Sequence, residues 1–283
     1  AARQLRWPVL NEDLVDIDAT IGTAGDQFVV FSPGVLRRSW TENGRRYFHY
    51  QTEIPSLFGA NVFSGKWRVR EDKWNDVKLQ ILHHPTSDSD NVDRTMRSMK
   101  ASLEYFSQQF GPYPYRELRV VEIPRYGGFG HAMASAISFA EDFFVSRVRD
   151  GEIDQPFYGT AHEVAHQWWS GRVPGAHVPG HGLLSESLAN YCAMVLTEKT
   201  YGVEAARKVY RFQMERYLTG RASQSREVAA LDVEDQPYIA YRKGAIALFT
   251  LRDYIGEAAV NGALRRFQEK YRSAGPPYPT SRD

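Results

Sequence analysis

The sequence predicts an α+β protein, with an N-terminal antiparallel β-module ahead of a mixed α/β domain that is mainly helical in its second half. Three observations predict it. Before residue 88, short segments alternate apolar and polar residues with turn residues between them. After it, apolar residues recur at steps of three and four, the helical spacing. Strand-like segments then give way to helical ones from residue 157 onward.

The strands of the β-module are expected at 27–31, 46–52, 67–70 and 77–82. The polar run Thr86-Ser87-Asp88-Ser89-Asp90 marks a boundary, giving domains 1–88 and 89–283. Val92, Met96, Met99, Leu103, Phe106 and Phe110 then describe a strongly amphipathic helix. Two strands, 119–123 and 136–140, flank a glycine-rich loop at 126–130. Helices are expected at 158–170, from 183, and at 203–218, 241–254 and 257–271. There is no internal repeat.

Composition excludes more than it identifies. The 283 residues suffice for a large core in one big domain or two smaller ones. Thirty-five basic and 34 acidic residues, interspersed, give a net charge of +1, so no nucleic-acid partner is expected. One cysteine, Cys192, rules out an internal disulfide and reads as a small apolar residue. The longest apolar run, 245–251, is too short to cross a bilayer. No signal peptide is evident, and both ends read as cut from something longer.

The chemistry concentrates in His162-Glu163-Val164-Ala165-His166. Residues four apart share a helix face, so His162 and His166 present two imidazoles to one metal ion. Glu163 falls on the neighbouring face, where a carboxylate serves as general base towards an attacking water. This is the helical form of a zinc hydrolase site. Such a site needs three protein ligands and an open position. The metzincin pattern requires Gly at 169 and His at 172, and this chain has Trp169 and Arg172. His177 and His181 lie in a loop rich in glycine and proline, where nothing fixes their direction. Glu186 is the stronger third ligand, because it opens a second apolar-periodic helix with Ser185 as N-cap. The competing reading of Glu186 is a first-turn acid that complements the helix dipole. Asn190, one turn on, is a candidate partner for a histidine ligand. His83-His84-Pro85 reads as a strand end, since adjacent strand residues face opposite ways.

These motifs resemble the zinc aminopeptidases of the aminopeptidase N and leukotriene hydrolase type, the gluzincins, over residues 90–283. The resemblance is carried by His162-Glu163-Val164-Ala165-His166-Gln167-Trp168, Leu184-Ser185-Glu186-Ser187, Ala240-Tyr241-Arg242-Lys243-Gly244 and Phe110-Gly111-Pro112-Tyr113-Pro114-Tyr115. It implies a thermolysin-like catalytic domain over 89–283 that holds one Zn2+ on His162, His166 and Glu186. It also implies Tyr241 as donor to the tetrahedral oxyanion, with Tyr238 as fallback; Arg242 and Lys243 read as a solvated helix start. Two departures stand out. The gap between His166 and Glu186 is one residue longer than the family's usual spacing. The family's G-x-M-E-N segment, whose Glu grips the substrate's amino terminus, is replaced by Gly128-Phe129-Gly130-His131-Ala132-Met133-Ala134-Ser135, which has no carboxylate. With Leu251-Arg252-Asp253-Tyr254-Ile255-Gly256 and the 275–280 tail, these departures resemble a divergent branch fused to bacterial ABC-type permeases.

The function expected is therefore a zinc metallopeptidase acting on peptides, with Gly128, His131 and Glu141 as substrate contacts. Segment 136–140 is the expected edge strand against which a peptide would pair, and Glu141 either meets substrate or caps the next helix. Glu122 is the nearest acid that could replace the missing anchor. The alternative is a module of a membrane transporter that keeps zinc but cleaves little; a non-peptide hydrolase, such as an epoxide-opening enzyme, is a third class. The branch implies a longer membrane protein with permease segments, and a location on the extracytoplasmic face of a bacterial cytoplasmic membrane, the cytoplasm being the alternative.

Overall fold

The computed structural model describes residues 14–57, 60–124, 130–224, 226–272 and 274–283. The chain divides into two units: residues through Met96 together with Pro114–Ser146, and Arg97–Tyr113 together with Arg147–Asp283.

The first unit is built of strands. In order they are β1 (Leu14–Val15), β2 (Asp18–Gly22), β3 (Phe28–Ser32), β4 (Val35–Glu42), β5 (Arg45–Gln51), β6 (Ser56–Leu57), β7 (Asn61–Gly65), β8 (Arg68–Trp74) and β9 (Val77–His83). Helix α1 (Ser89–Phe110) follows, then β10 (Glu117–Ile123), β11 (Gly130–Met133), β12 (Ala136–Ala140) and the single turn α2 (Asp142–Val145). Strands β2, β5 and β4 form a three-stranded antiparallel sheet, β3 pairs with β7, and β1 with β6. The β4–β5 hairpin turns on Asn43 and Gly44, both at positive φ, the geometry that suits the twist of two paired strands. Val29 and Phe31 of β3 form a core cluster with Phe48 and Tyr50 of β5, and the buried Tyr50 hydroxyl donates to the Val29 carbonyl at 2.6 Å.

The remaining sheet has the order β11-β12-β10-β9-β8, with β10 parallel to both β9 and β12 and the outer strands antiparallel. It joins β9, before residue 88, to strands after it, so the sheet spans the boundary read from composition. The polar run there is a helix start: the Asp88 carboxylate accepts from the Asp90 N–H at 2.7 Å, and the Asp88 carbonyl accepts from Val92 N. Capping residues and linker residues share a composition. A second correction concerns the edge. Segment Ala136–Ala140 lies between β10 and β11 and is buried throughout; the strand at the rim is β11.

The second unit is helical: the rest of α1, α3 (Gln155–Ala165), α4 (Leu188–Tyr201), α5 (Val203–Ala222), α6 (Gly244–Ile255) and α7 (Glu257–Tyr271). Helix α3 starts where the Asp154 carboxylate accepts from Phe157 N at 3.0 Å with Pro156 in the first turn. It stops at Ala165, sooner than the sequence suggested, because the chain turns so that Trp168 and Trp169 can both be buried. Phe106 of α1 meets the Trp168 ring edge-on at 5.7 Å, and Phe110 meets Trp169 at 5.3 Å. The Trp168 indole N–H is satisfied by the Gly111 carbonyl at 2.9 Å. Helix α4 is buried from Leu188 to Thr197, which is why its sequence is apolar on every face.

Phe106 is fully buried against these rings. Phe106→Ala should lower the unfolding free energy by about 3–5 kcal/mol, the range for deleting a buried aromatic. Urea denaturation measures it, and a loss under ~1 kcal/mol would show that this seam is slack.

Candidate metal centre

Three elements of the helical unit bring the site together. Helix α3 supplies His162 and Glu163, and His166 stands at its C-cap. The turn Leu183–Ser187 supplies Glu186, and Tyr238–Lys243 supplies Tyr241. Both of these turns are π-helical and run straight into α-helices, α4 and α6. Glu186 thus stands in a wide turn, and Ser185 does not cap: its hydroxyl donates back to the His181 carbonyl at 3.3 Å. Wide turns of this kind recur at functional sites.

The Nε2 atoms of His162 and His166 lie 3.2 Å apart, and Glu186 Oε2 lies 3.2 Å from the first and 3.4 Å from the second. Among the described residues these three form the group whose ligand atoms converge. A tetrahedral zinc with bonds of about 2.0–2.1 Å spaces its ligand atoms about 3.3–3.4 Å apart, so the three atoms match one face of that tetrahedron. Glu186 Oε2 is buried with no hydrogen-bond partner, as expected of an oxygen whose lone pairs are meant for a cation. The His166 ring is oriented by its other nitrogen, Nδ1, which donates to the Trp169 carbonyl at 3.1 Å and leaves Nε2 free as a ligand. The donor set and its geometry fit zinc.

The electrostatics agree. Burial depresses the His166 imidazole, but the adjacent Glu186 carboxylate reverses this and takes it up to about 9. Burial works to raise the Glu186 carboxyl, and the two imidazoles overcome it, holding it well below the carboxylate range. Both shifts report a point that favours positive charge.

Glu163 is buried, with Oε1 3.9 Å from His162 Nε2. The Tyr241 ring lies over His162, centroids 6.2 Å apart. Burial, followed by the charges of Glu186 and Glu163, holds its phenol well above the ordinary value, so the proton stays on and the hydroxyl remains a donor. Tyr238 points elsewhere, packing on Tyr217 in a separate apolar cluster.

Several candidates stand differently from their sequence reading. Asn190 is buried and bonds no histidine: it accepts from Tyr158 at 2.8 Å and donates to the Tyr241 carbonyl at 2.9 Å. His177 and His181 stack on each other at 4.8 Å and bring no ligand atom into the group. Burial, then the neighbouring His177, pushes His181 down to about 4. Arg242 and Lys243 are half-buried and paired rather than free in solvent: Arg242 donates to Gln213 at 2.7 Å, and Lys243 pairs with Glu227. In the β-rich unit, His131 is exposed on β11, and Glu141 is exposed at the start of α2 with no capping bond from its side chain. Glu122 is buried and committed, accepting from His84 N at 2.7 Å and the Ser87 hydroxyl at 2.6 Å. Gly128 lies outside the described residues.

Sequence reasoning missed what joins the two π-turns. The Ser187 hydroxyl donates to the Ala240 carbonyl at 2.6 Å. A Cβ on Gly244 would sit 2.0 Å from that hydroxyl oxygen, so the glycine of the Tyr-Arg-Lys-Gly segment is there for close approach.

Known proteins resemble the chain as follows. The sequence profile of the Peptidase family M1 domain matches residues 92–275. Tricorn protease-interacting factor F2 of Thermoplasma acidophilum is 23% identical over 242 residues, covering 81% of this chain and 30% of that protein. The M1 zinc metallopeptidase of Deinococcus radiodurans has a similar fold, with a TM-score of 0.70 at 19% identity over 93% of this chain and 58% of that one. A mutant of the Deinococcus enzyme bound to a Tyr-Ser-Ala substrate gives 0.71 at 18% identity, over 95% and 58%. The chain thus spans less than a third of the archaeal relative's length and somewhat over half of the bacterial one's.

The ligand set predicts one zinc per chain. Glu186→Ala should weaken zinc binding by more than the ~10–100-fold that loss of an outer partner costs, read by competition with a chromophoric chelator. Affinity unchanged from wild type would assign the third position to another residue.

Proposed function

The chain belongs to peptidase family M1, and on that footing we propose that it is a zinc-dependent peptidase with Glu163 as general base and Tyr241 as oxyanion donor. One observation carries the reading: Glu163 and a protonated Tyr241 both flank the three converging ligand atoms of His162, His166 and Glu186. Zinc held there supplies Lewis acidity and lowers the pKa of water. The residues do the rest. Glu163 accepts a proton from the attacking water as its oxygen bonds the scissile carbonyl carbon, and returns that proton to the amine nitrogen as the C–N bond breaks. The Tyr241 hydroxyl donates to the carbonyl oxygen as it gains negative charge. Trp168 and Trp169, both buried, hold the chain that follows His166 rigid.

We further propose that it is a poor aminopeptidase. A buried ammonium requires a carboxylate partner to offset its desolvation. The segment Gly130-His131-Ala132-Met133-Ala134 has none, and a histidine near neutral pH is no substitute. Glu122 is already bonded within its own unit. The same observation favours the second reading, a transporter module that keeps zinc and cleaves little. The resemblance to permease-fused proteins supports a parent chain with membrane-spanning segments and a domain on the outer face of a bacterial cytoplasmic membrane. No helix among the described residues is long and apolar enough to cross a membrane, so those segments would lie elsewhere in the parent chain.

Glu163→Gln should keep zinc and abolish hydrolysis of a mixed peptide library, since the amide accepts no proton. Tyr241→Phe should keep zinc and lose about 10²–10³ in kcat. Full activity in either variant removes that residue from the mechanism. Comparing one peptide with free and with acetylated amino terminus tests the specificity: similar rates are expected, and a strong preference for the free form would show that an anchor exists.

A further inference from the structure

The carbonyl of Tyr241 is one point on a closed loop of side chains, every link of which lies in the helical unit. The Asn190 amide of α4 donates to that carbonyl at 2.9 Å, and Asn190 Oδ1 accepts from the Tyr158 hydroxyl of α3 at 2.8 Å. The same hydroxyl accepts from Gln213 Nε2 of α5 at 2.6 Å, and Gln213 Oε1 accepts from the Arg242 guanidinium at 2.7 Å. Arg242 is the residue after Tyr241, so the circuit closes on the turn where it began. Its guanidinium also lies 5.9 Å from the centre of the Tyr241 ring and 5.8 Å from that of Phe212.

Three of the four members are nearly inaccessible: Tyr158 at 7%, Asn190 at 2% and Gln213 at 0%. Buried polar groups are costly when left unpaired, and a fully paired network fixes one arrangement of its members. Packing alone would be served by apolar side chains at these buried positions. None of the four touches the three ligand atoms, so holding metal does not explain them. What the circuit does touch is both the main chain of Tyr241, through Asn190, and its ring, through Arg242. An oxyanion donor contributes fully only when it is preorganised, with no reorientation left for the transition state.

We propose that Tyr158, Asn190, Gln213 and Arg242 form a positioning circuit for Tyr241, with Arg242 and Asn190 holding the tyrosine directly and Tyr158 and Gln213 holding them. The circuit rests on the role given to Tyr241 above. Arg242 is suited to the task because its planar fork bonds Gln213 while its face lies over a ring, which a lysine ammonium does not reproduce.

The test uses the zinc-loaded protein and a peptide from the library that it cleaves. Tyr158→Phe removes one oxygen and creates no large cavity; Arg242→Lys keeps the charge and Arg242→Gln removes it. Each should lower kcat about 10-fold or more, leave KM within about twofold and leave the zinc content at one. In a Tyr241→Phe background the same substitutions should cost less than twofold more, because the donor they position is gone. Losses that multiply with that of Tyr241→Phe, or kcat unchanged in both Tyr158→Phe and Arg242→Gln, would overturn the circuit. A second measurement needs no turnover: NMR of ring-labelled Tyr241 should show a single ordered ring in the wild type and averaged resonances in Arg242→Gln. If the wild type cleaves no peptide but the ring loosens as stated, the circuit stands and the peptidase reading fails; a ring equally ordered in the variant overturns the circuit.

Discussion

The structure depends on one electrostatic constraint: two imidazole nitrogens and a carboxylate oxygen are held within 3.4 Å of one another in a largely buried place. Three lone pairs pointed at a common centre repel unless a cation lies between them. The surroundings exist to impose that arrangement. Helix α3 sets His162 and His166 one turn apart. The Trp169 carbonyl fixes the His166 ring, and the tryptophan side chains anchor the turn that carries this carbonyl. The Glu186 turn is tied to the Tyr241 turn by Ser187 and by the close approach at Gly244. Moving Glu186 would therefore disturb Tyr241, and the converging ligand atoms and Tyr241 form one mechanical unit.

Much of this was legible because its signals are local. The spacing of His162, Glu163 and His166 is a property of one helix turn, and the seam from Val92 to Phe110 follows a period no strand has. Strand 136–140 and helix 257–271 were read with the bounds observed. What escaped lay in contacts that periodicity does not encode. A π-turn that opens an α-helix has the composition of the helix, so 183–187 read as an ordinary helix start and the later helix was expected to begin at 241, inside the turn 238–243. The rank of a strand within its sheet depends on partners distant in sequence, which is why 136–140 passed for an edge. Arg242 and Lys243 looked unpartnered because Gln213 and Glu227, the residues that pair with them, come from another part of the chain.

The same distinction separates catalysis from specificity here. The groups proposed for hydrolysis are drawn from one helical unit and are fixed by bonds within it. Recognition of a peptide's amino terminus requires a carboxylate that neither segment 130–134 nor the committed Glu122 provides. On the proposed reading, a chain with the first set and without the second would keep the reaction while relaxing the choice of where on a peptide it occurs, since binding energy at one end would no longer align the scissile bond.

The account rests centrally on Glu186 completing a ligand set with His162 and His166, and X-ray absorption at the zinc edge of the loaded protein tests this most directly. Two imidazole nitrogens at about 2.0–2.1 Å with the remaining first-shell scatterers oxygen are expected. A third imidazole in the shell would contradict it, giving the carboxylate's place to a histidine from the loop before it.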